Sequence, residues 1–115
     1  MIIEYSVSKV LKDLEQDFNK AYPYLKLDFK PGNSAVIKST TTLGDLNKSI
    51  TPGYIEITDD MTVGQLESLF ANVLRLPVKV LRKSGNIWMQ TSITNSWTLN
   101  QQNEHAREIS SSRIF

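Results

Sequence analysis

The chain reads as an α+β protein of two layers, a mixed sheet of four to five strands carrying two main helices on one face. Three observations predict this. Short runs such as Leu25-Lys26-Leu27-Asp28-Phe29 alternate apolar and polar residues with the period of two that a half-buried strand requires. Leu11, Leu14, Phe18 and Tyr22, and later Val63, Leu66, Phe70, Val73 and Leu74, recur at steps of three and four, the stripe of a helix lying on a core. The unit is also laid down twice. Ile3-Glu4, Leu14-Glu15 and Phe18 return as Ile55-Glu56, Leu66-Glu67 and Phe70 at a constant offset of 52 positions, and a Thr-Leu segment comes after each copy at Thr42-Leu43 and Thr98-Leu99. Self-similarity of this kind marks a repeated strand-helix-strand unit, with duplication and convergent core patterning both open as its origin.

Taken in order, Ile3, Tyr5 and Val7 face one way and Glu4 and Ser6 the other, giving a first strand. Ser8 is placed to cap the first helix, because its hydroxyl accepts from an otherwise unpaired backbone N–H. Pro23 ends that helix by denying Tyr22 the helical conformation. Leu25 to Phe29 is the second strand, stopped by Pro31-Gly32-Asn33. Residues 32–41 read as a loop with room for a short edge pairing at Val36-Ile37. Thr42 starts a helix of one or two turns, Thr51-Pro52-Gly53 turns, and Tyr54 to Thr58 is the third strand with Ile55 and Ile57 inward.

Thr62 and Gln65 have the spacing of a capping box at the head of the second main helix, and Pro77 limits its far end. Val78 and Val80 open a strand that turns at Lys83-Ser84-Gly85-Asn86. The return strand puts Ile87, Met89, Thr91 and Ile93 on one face and Trp88, Gln90 and Ser92 on the other. Thr98 and Gln101 repeat the capping spacing, so a last helix is predicted from about Thr98 toward Ile109, with Ser110-Ser111-Ser112 frayed.

The order strand-helix-strand, helix, strand-helix-strand-strand, helix resembles a ferredoxin-like duplication, which implies right-handed parallel crossovers. Thr62-Val63-x-x-Leu66 after a strand, then Val78 to Trp88 and Trp97-Thr98-Leu99, also resembles a ubiquitin-like β-grasp over the second half. The chain ends Arg113-Ile114-Phe115, without the terminal di-glycine of conjugating members. Finally, Arg82-Lys83-Ser84-Gly85-Asn86-Ile87-Trp88, Trp97-Thr98-Leu99 and Gln102-Asn103-Glu104 resemble a family of small uncharacterised bacterial α+β proteins over most of the chain. That resemblance carries no assigned activity and implies no catalytic residue.

Composition narrows the function. With 115 residues, 40% of them hydrophobic, the chain supports one core and not two. The expected organisation is a single domain over residues 1–109, an internal repeat of 1–50 and 53–109, and a frayed tail over 110–115. No run approaches the ~20 apolar residues of a membrane span, and the N-terminus lacks a secretion signal, so a soluble protein with no membrane partner is expected. There is no cysteine, which excludes disulfides and thiol chemistry and fits a cytoplasmic location. A net charge of +1 removes the simplest argument for nucleic acid, a strongly basic surface.

Chemistry is sparse. His105 is the single histidine, with no nucleophile placed beside it, and reads as an exposed helical side chain. Asp59-Asp60 offers two adjacent carboxylates where a hard cation wants several converging oxygens, so Asp60 reads as a complement to the positive end of the next helix. The glycines are dispersed and cradle no phosphate. No catalytic residue, metal ligand or cofactor is expected, and the chain reads as no enzyme.

Lys79, Arg82, Lys83 and Trp88 form the best functional cluster. If the hairpin pairs as drawn, Lys79, Leu81 and Lys83 share the polar sheet face with Trp88 and Gln90. These six residues suit a protein contact, where tryptophan and arginine concentrate binding energy. They suit single-stranded nucleic acid less well, where an aromatic ring stacks a base. The bland reading is Trp88 packed beneath the last helix or the tail. Trp97, just before a helix cap, reads as a hydrophobic staple. The expectation is a protein-interaction or adaptor module with an unidentified protein partner, nucleic acid being the alternative. An exposed hairpin edge would also permit pairing between copies.

Overall fold

The computed structural model describes residues 1–29 and 37–111. The order is β1 (Ile2–Tyr5), α1 (Leu11–Ala21), β2 (Leu25–Phe29), α2 (Leu43–Leu46), β3 (Gly53–Glu56), α3 (Val63–Leu69), a π-helical turn (Phe70–Leu74), β4 (Val78–Ser84), β5 (Ile87–Gln90) and α4 (Leu99–Ser111). The stop at Pro31-Gly32-Asn33, the pairing at Val36 and the tail from Ser112 lie outside the described residues. No described helix is long and apolar enough to cross a membrane.

The α+β class is observed, but the single mixed sheet is not. Two antiparallel sheets form instead, β1-β3 and β2-β4-β5. Each strand of the first half pairs with its counterpart in the second: Ile3 lies opposite Ile55, and Leu27 opposite Val80. The parallel crossovers of a ferredoxin-like sheet are absent among the described residues. Alternation specifies which face of a strand is buried and says nothing about which strand lies beside it.

One core unites the two sheets. Leu11, Leu14 and Phe18 of α1 and Val63 and Leu66 of α3, with Phe70, pack in a single buried cluster with Ile3, Ile55, Leu25, Leu27, Phe29, Val78 and Val80. Matched backbone bonds then clasp each half. Leu11 N–H donates to Thr41 O (2.9 Å) and Val63 N–H to Trp97 O (3.0 Å). In the other direction Leu43 N–H donates to Lys9 O and Leu99 N–H to Met61 O, each at 2.8 Å, and Gly44 N–H and Asn100 N–H reach Val7 O and Asp59 O. This clasp explains why Ser8 does not cap α1. The N-cap is Val10, with no side-chain bond, because Thr41 O already satisfies Leu11, while Ser8 Oγ turns to Ser6 Oγ at 2.9 Å. The three predicted helix starts with a threonine do carry capping boxes, Thr42 with Asp45, Thr62 with Gln65 and Thr98 with Gln101.

The halves differ by one residue, and the π turn absorbs it. Leu14 and Phe18 correspond to Leu66 and Phe70 at an offset of 52, whereas Leu25, Lys26 and Leu27 correspond to Val78, Lys79 and Val80 at 53. A π turn inserts one residue without breaking a helix. It also rotates the residues after Phe70, so Val73, expected in the buried stripe, is exposed. The turn closes on Arg75, in the left-handed region at φ 53°, whose N–H donates to Phe70 O. Two further expectations are corrected at the C-terminal side. The return strand ends at Gln90, leaving Thr91 buried and Ile93 98% exposed in a turn. Ser110 is part of α4 rather than frayed, held by its bonds to the hairpin.

Asp59 serves the fold. Tyr22 Oη donates to its Oδ1 at 2.7 Å. Burial first, then this bond and the negative charges of Asp59 and Asp60, raise the phenol pKa above the usual tyrosine range. The native state thus holds this proton more tightly than the unfolded chain. Its contribution is intact below about pH 10 and is lost as pH rises through the native value. Stability from denaturant midpoints at pH 8 and pH 11 is expected to fall in the wild type. Tyr22→Phe is expected to cost about 0.5–1.5 kcal/mol near neutrality and to fall less steeply over the alkaline interval.

Candidate functional site

The register of β2, β4 and β5 assigns each candidate to a face. Lys83 lies opposite Trp88 and Leu81 opposite Gln90, while Lys26 and Asp28 of β2 pair with Leu81 and Lys79. Side chains alternate along each strand, so Lys79, Leu81, Lys83, Trp88 and Gln90 share the outer face with Lys26 and Asp28. Arg82 does not join them. It pairs with Leu25 and Met89 on the other face, where its Nε is buried without a hydrogen-bond partner among the described residues. An odd number of steps separates Arg82 from Lys79, which is why their nearness in sequence does not become nearness on a face.

Trp88 is not sealed under a helix. It is 36% exposed, and Lys26 Nζ stands 5.6 Å from the centre of its ring, a cation–π contact worth about 0.5–1 kcal/mol at an exposed site. A shallow cleft of about 240 Å³ runs from Trp88 and Lys26 to Lys12, Glu15, Gln16 and Asn19 of α1. Lys79 reaches Glu67 at 3.8 Å, a loose surface pair of little energetic weight. The outer face is therefore cationic but interrupted, with Asp28 and Glu67 among its lysines.

The hairpin that carries Trp88 is tight and anchored. Gly85 takes φ 64°, the left-handed conformation that glycine adopts at no steric cost. Ser110 Oγ accepts from Gly85 N–H at 3.3 Å and donates to Lys83 O at 3.5 Å, tying the turn to α4. Beyond the turn all four residues of β5 are exposed, including Ile87 at 61% and Met89 at 41%. Lys26, Ile87 and Met89 were not among the candidates read from sequence. Alternation in β2 points to Lys26, and the apolar character of both faces of residues 87–90 points to the other two.

His105 and Gln102 make packing and hydrogen-bond contacts around the start of α4. His105 is half-buried rather than exposed, with its ring edge-on to Trp97 at 5.2 Å. Trp97 thus packs along α4 against a residue two turns on. Gln102, fully buried, donates through Nε2 to Thr94 O at 2.8 Å and holds the turn before α4. Among the described residues no three His, Asp or Glu side chains cluster as metal ligands would. No protein-family model, curated protein or solved structure matches the chain.

Proposed function

We propose that the protein is a non-enzymatic protein-interaction module whose partner docks on the outer face of the β2-β4-β5 sheet and the hairpin at residues 83–86. The observation that carries this reading is the exposure of Trp88 on a hairpin strand, beside Leu81 and rimmed by Lys26 and Lys83. A rigid aromatic anchor with a polar rim is the usual centre of a binding surface. A history of two copies of one ancestral unit is supported by the matched backbone clasps.

Nucleic acid is the weaker reading. Lys26 already occupies one side of the ring a base would stack on, and Asp28 and Glu67 break the positive stripe that a phosphate backbone would track. Trp88→Ala is the test, with thermal unfolding to check that the fold persists. Capture of partners from the native cell is expected to be lost, with no oligonucleotide binding by the wild type at about 50 or 200 mM salt. Unchanged capture, or oligonucleotide affinity that falls steeply with salt, would overturn the reading.

A further inference from the structure

We infer that β5 is a self-pairing edge. A second copy of the chain sets its own β5 antiparallel beside it, across a two-fold axis through Met89, to make one six-stranded sheet. The inference rests on the proposal that this region binds protein, and it names the partner for its rim.

The backbone supplies the first argument. Lys83 N–H donates to Tyr24 O at 2.9 Å, away from β5. In an antiparallel ladder hydrogen-bonded and non-bonded pairs alternate, so Lys83–Trp88 and Leu81–Gln90 are non-bonded pairs. Trp88 and Gln90 therefore direct their N–H and C=O groups outward, and nothing among the described residues caps them. At Val80 and at Leu25 the comparable backbone groups of this sheet are closed. Past the end of β5, Val80 N–H donates to Glu67 Oε2 at 3.2 Å and Val80 O accepts from Thr91 Oγ1 at 2.8 Å. At the outer rim of β2, Leu25 O accepts from Asn19 Nδ2 at 2.8 Å and Leu25 N–H donates to Tyr22 O at 2.9 Å.

The side chains supply the second. Ile87 and Met89 are exposed on one face of β5 and Trp88 on the other. A partner seated on one face covers only that face, whereas a strand added in the plane of the sheet meets both. Natural edges are guarded by charge, proline, a bulge or a cover. The sequence Ile87-Trp88-Met89-Gln90 has no charge and no proline, and its guard is its shortness.

Charge and register then favour a copy of β5 itself. Two uncharged strands meet without like-charge pairs, and the Lys83 residues of the two copies would stand three strand spacings, about 14 Å, apart. That exceeds the ~8 Å screening length at physiological salt. Keeping the outer faces together requires even-numbered residues to oppose even-numbered ones. Trp88 opposite Gln90 of the other copy uses all four outward backbone groups on each side and puts Met89 against Met89. Centring on Trp88 instead would bring two indoles face to edge and engage fewer bonds. Four residues a side bury less than the roughly 1,000 Å² of a stable interface, so the association is weak and is sought from tens of micromolar to about a millimolar.

The chain has no cysteine, which makes the test direct. Met89→Cys puts one thiol on the axis in a non-bonded pair, the spacing a disulfide accepts. It is expected to oxidise to a covalent dimer at least tenfold faster than Ile87→Cys, whose thiol lies off the axis. Sedimentation should show a concentration-dependent dimer for the wild type, weakened at least tenfold by Met89→Lys, which sets like charges opposite one another, and unaffected by Lys83→Glu on the outer face. A wild type that stays monomeric to a millimolar, equal oxidation of the two cysteine variants, or a dimer indifferent to Met89→Lys would each overturn the inference. Loss of partner capture in Lys83→Glu with no dimer in the wild type would sink this pairing and leave the docking face standing.

Discussion

Phe70→Ala is expected to cost about 3–5 kcal/mol, the loss for removing a large aromatic side chain from a core that relaxes only in part. Phe70 has no exposed surface, lies 6.5 Å from Phe29 between ring centres, and stands where α3 passes into the π turn. Its carbonyl accepts from Arg75 N–H and from Leu76 N–H, so the truncation also loosens the packing under the turn that realigns β4. Against the 5–15 kcal/mol of a typical domain, that loss removes a large fraction of total stability. Denaturant unfolding with an unchanged dependence on denaturant concentration is the measurement. A loss under about 1 kcal/mol would mean that the turn closes over the space, and that the extra residue is not held by this side chain.

Gly44→Ala is expected to cost about 1–3 kcal/mol, the range for forcing an added methyl into a filled site. A Cβ on Gly44 would meet Val7 O at 2.8 Å and Val7 Cβ at 2.9 Å, while Gly44 N–H donates to Val7 O. The methyl therefore pushes apart the backbone clasp of the first half. Gly53→Ala serves as the control. There the nearest atom is the Tyr5 hydroxyl, also at 2.8 Å, but it is the far end of a side chain that can swing away. Thermal unfolding of the two variants should separate them clearly; equal losses would show that Val7 yields as readily as a tyrosine tip.

How far the residues foretold this arrangement depends on whether the deciding signal is local. The capping boxes at Thr62 and Thr98 were legible because a cap and its partner stand three positions apart. The shared face of Lys79, Leu81, Lys83, Trp88 and Gln90 was legible because alternation is local too. The division into two sheets was not, since Leu27 and Val80 carry no mark that they will lie side by side. Nor was the start of α1, where a remote carbonyl, Thr41 O, does what Ser8 was expected to do. The π turn hid because Phe70, Val73 and Leu74 fit a three-and-four spacing whether or not a residue is inserted. Its trace was the change of offset from 52 at Phe18 and Phe70 to 53 at Leu27 and Val80. Of the six candidates, Arg82 alone falls on the other face of the sheet, and its odd spacing from Lys79 already placed it there.

The cross-pairing of the two halves has a consequence for how the chain reaches its native form. Among the described strands only the β4-β5 hairpin joins neighbours in sequence; β1 must find β3, and β2 must find β4, across some fifty intervening residues. Each such closure spends chain entropy before any contact repays it, which places the protein among slow two-state folders, on the order of milliseconds to seconds. Of the described pairings, the hairpin that carries Trp88 is the one whose closure needs no such distant meeting.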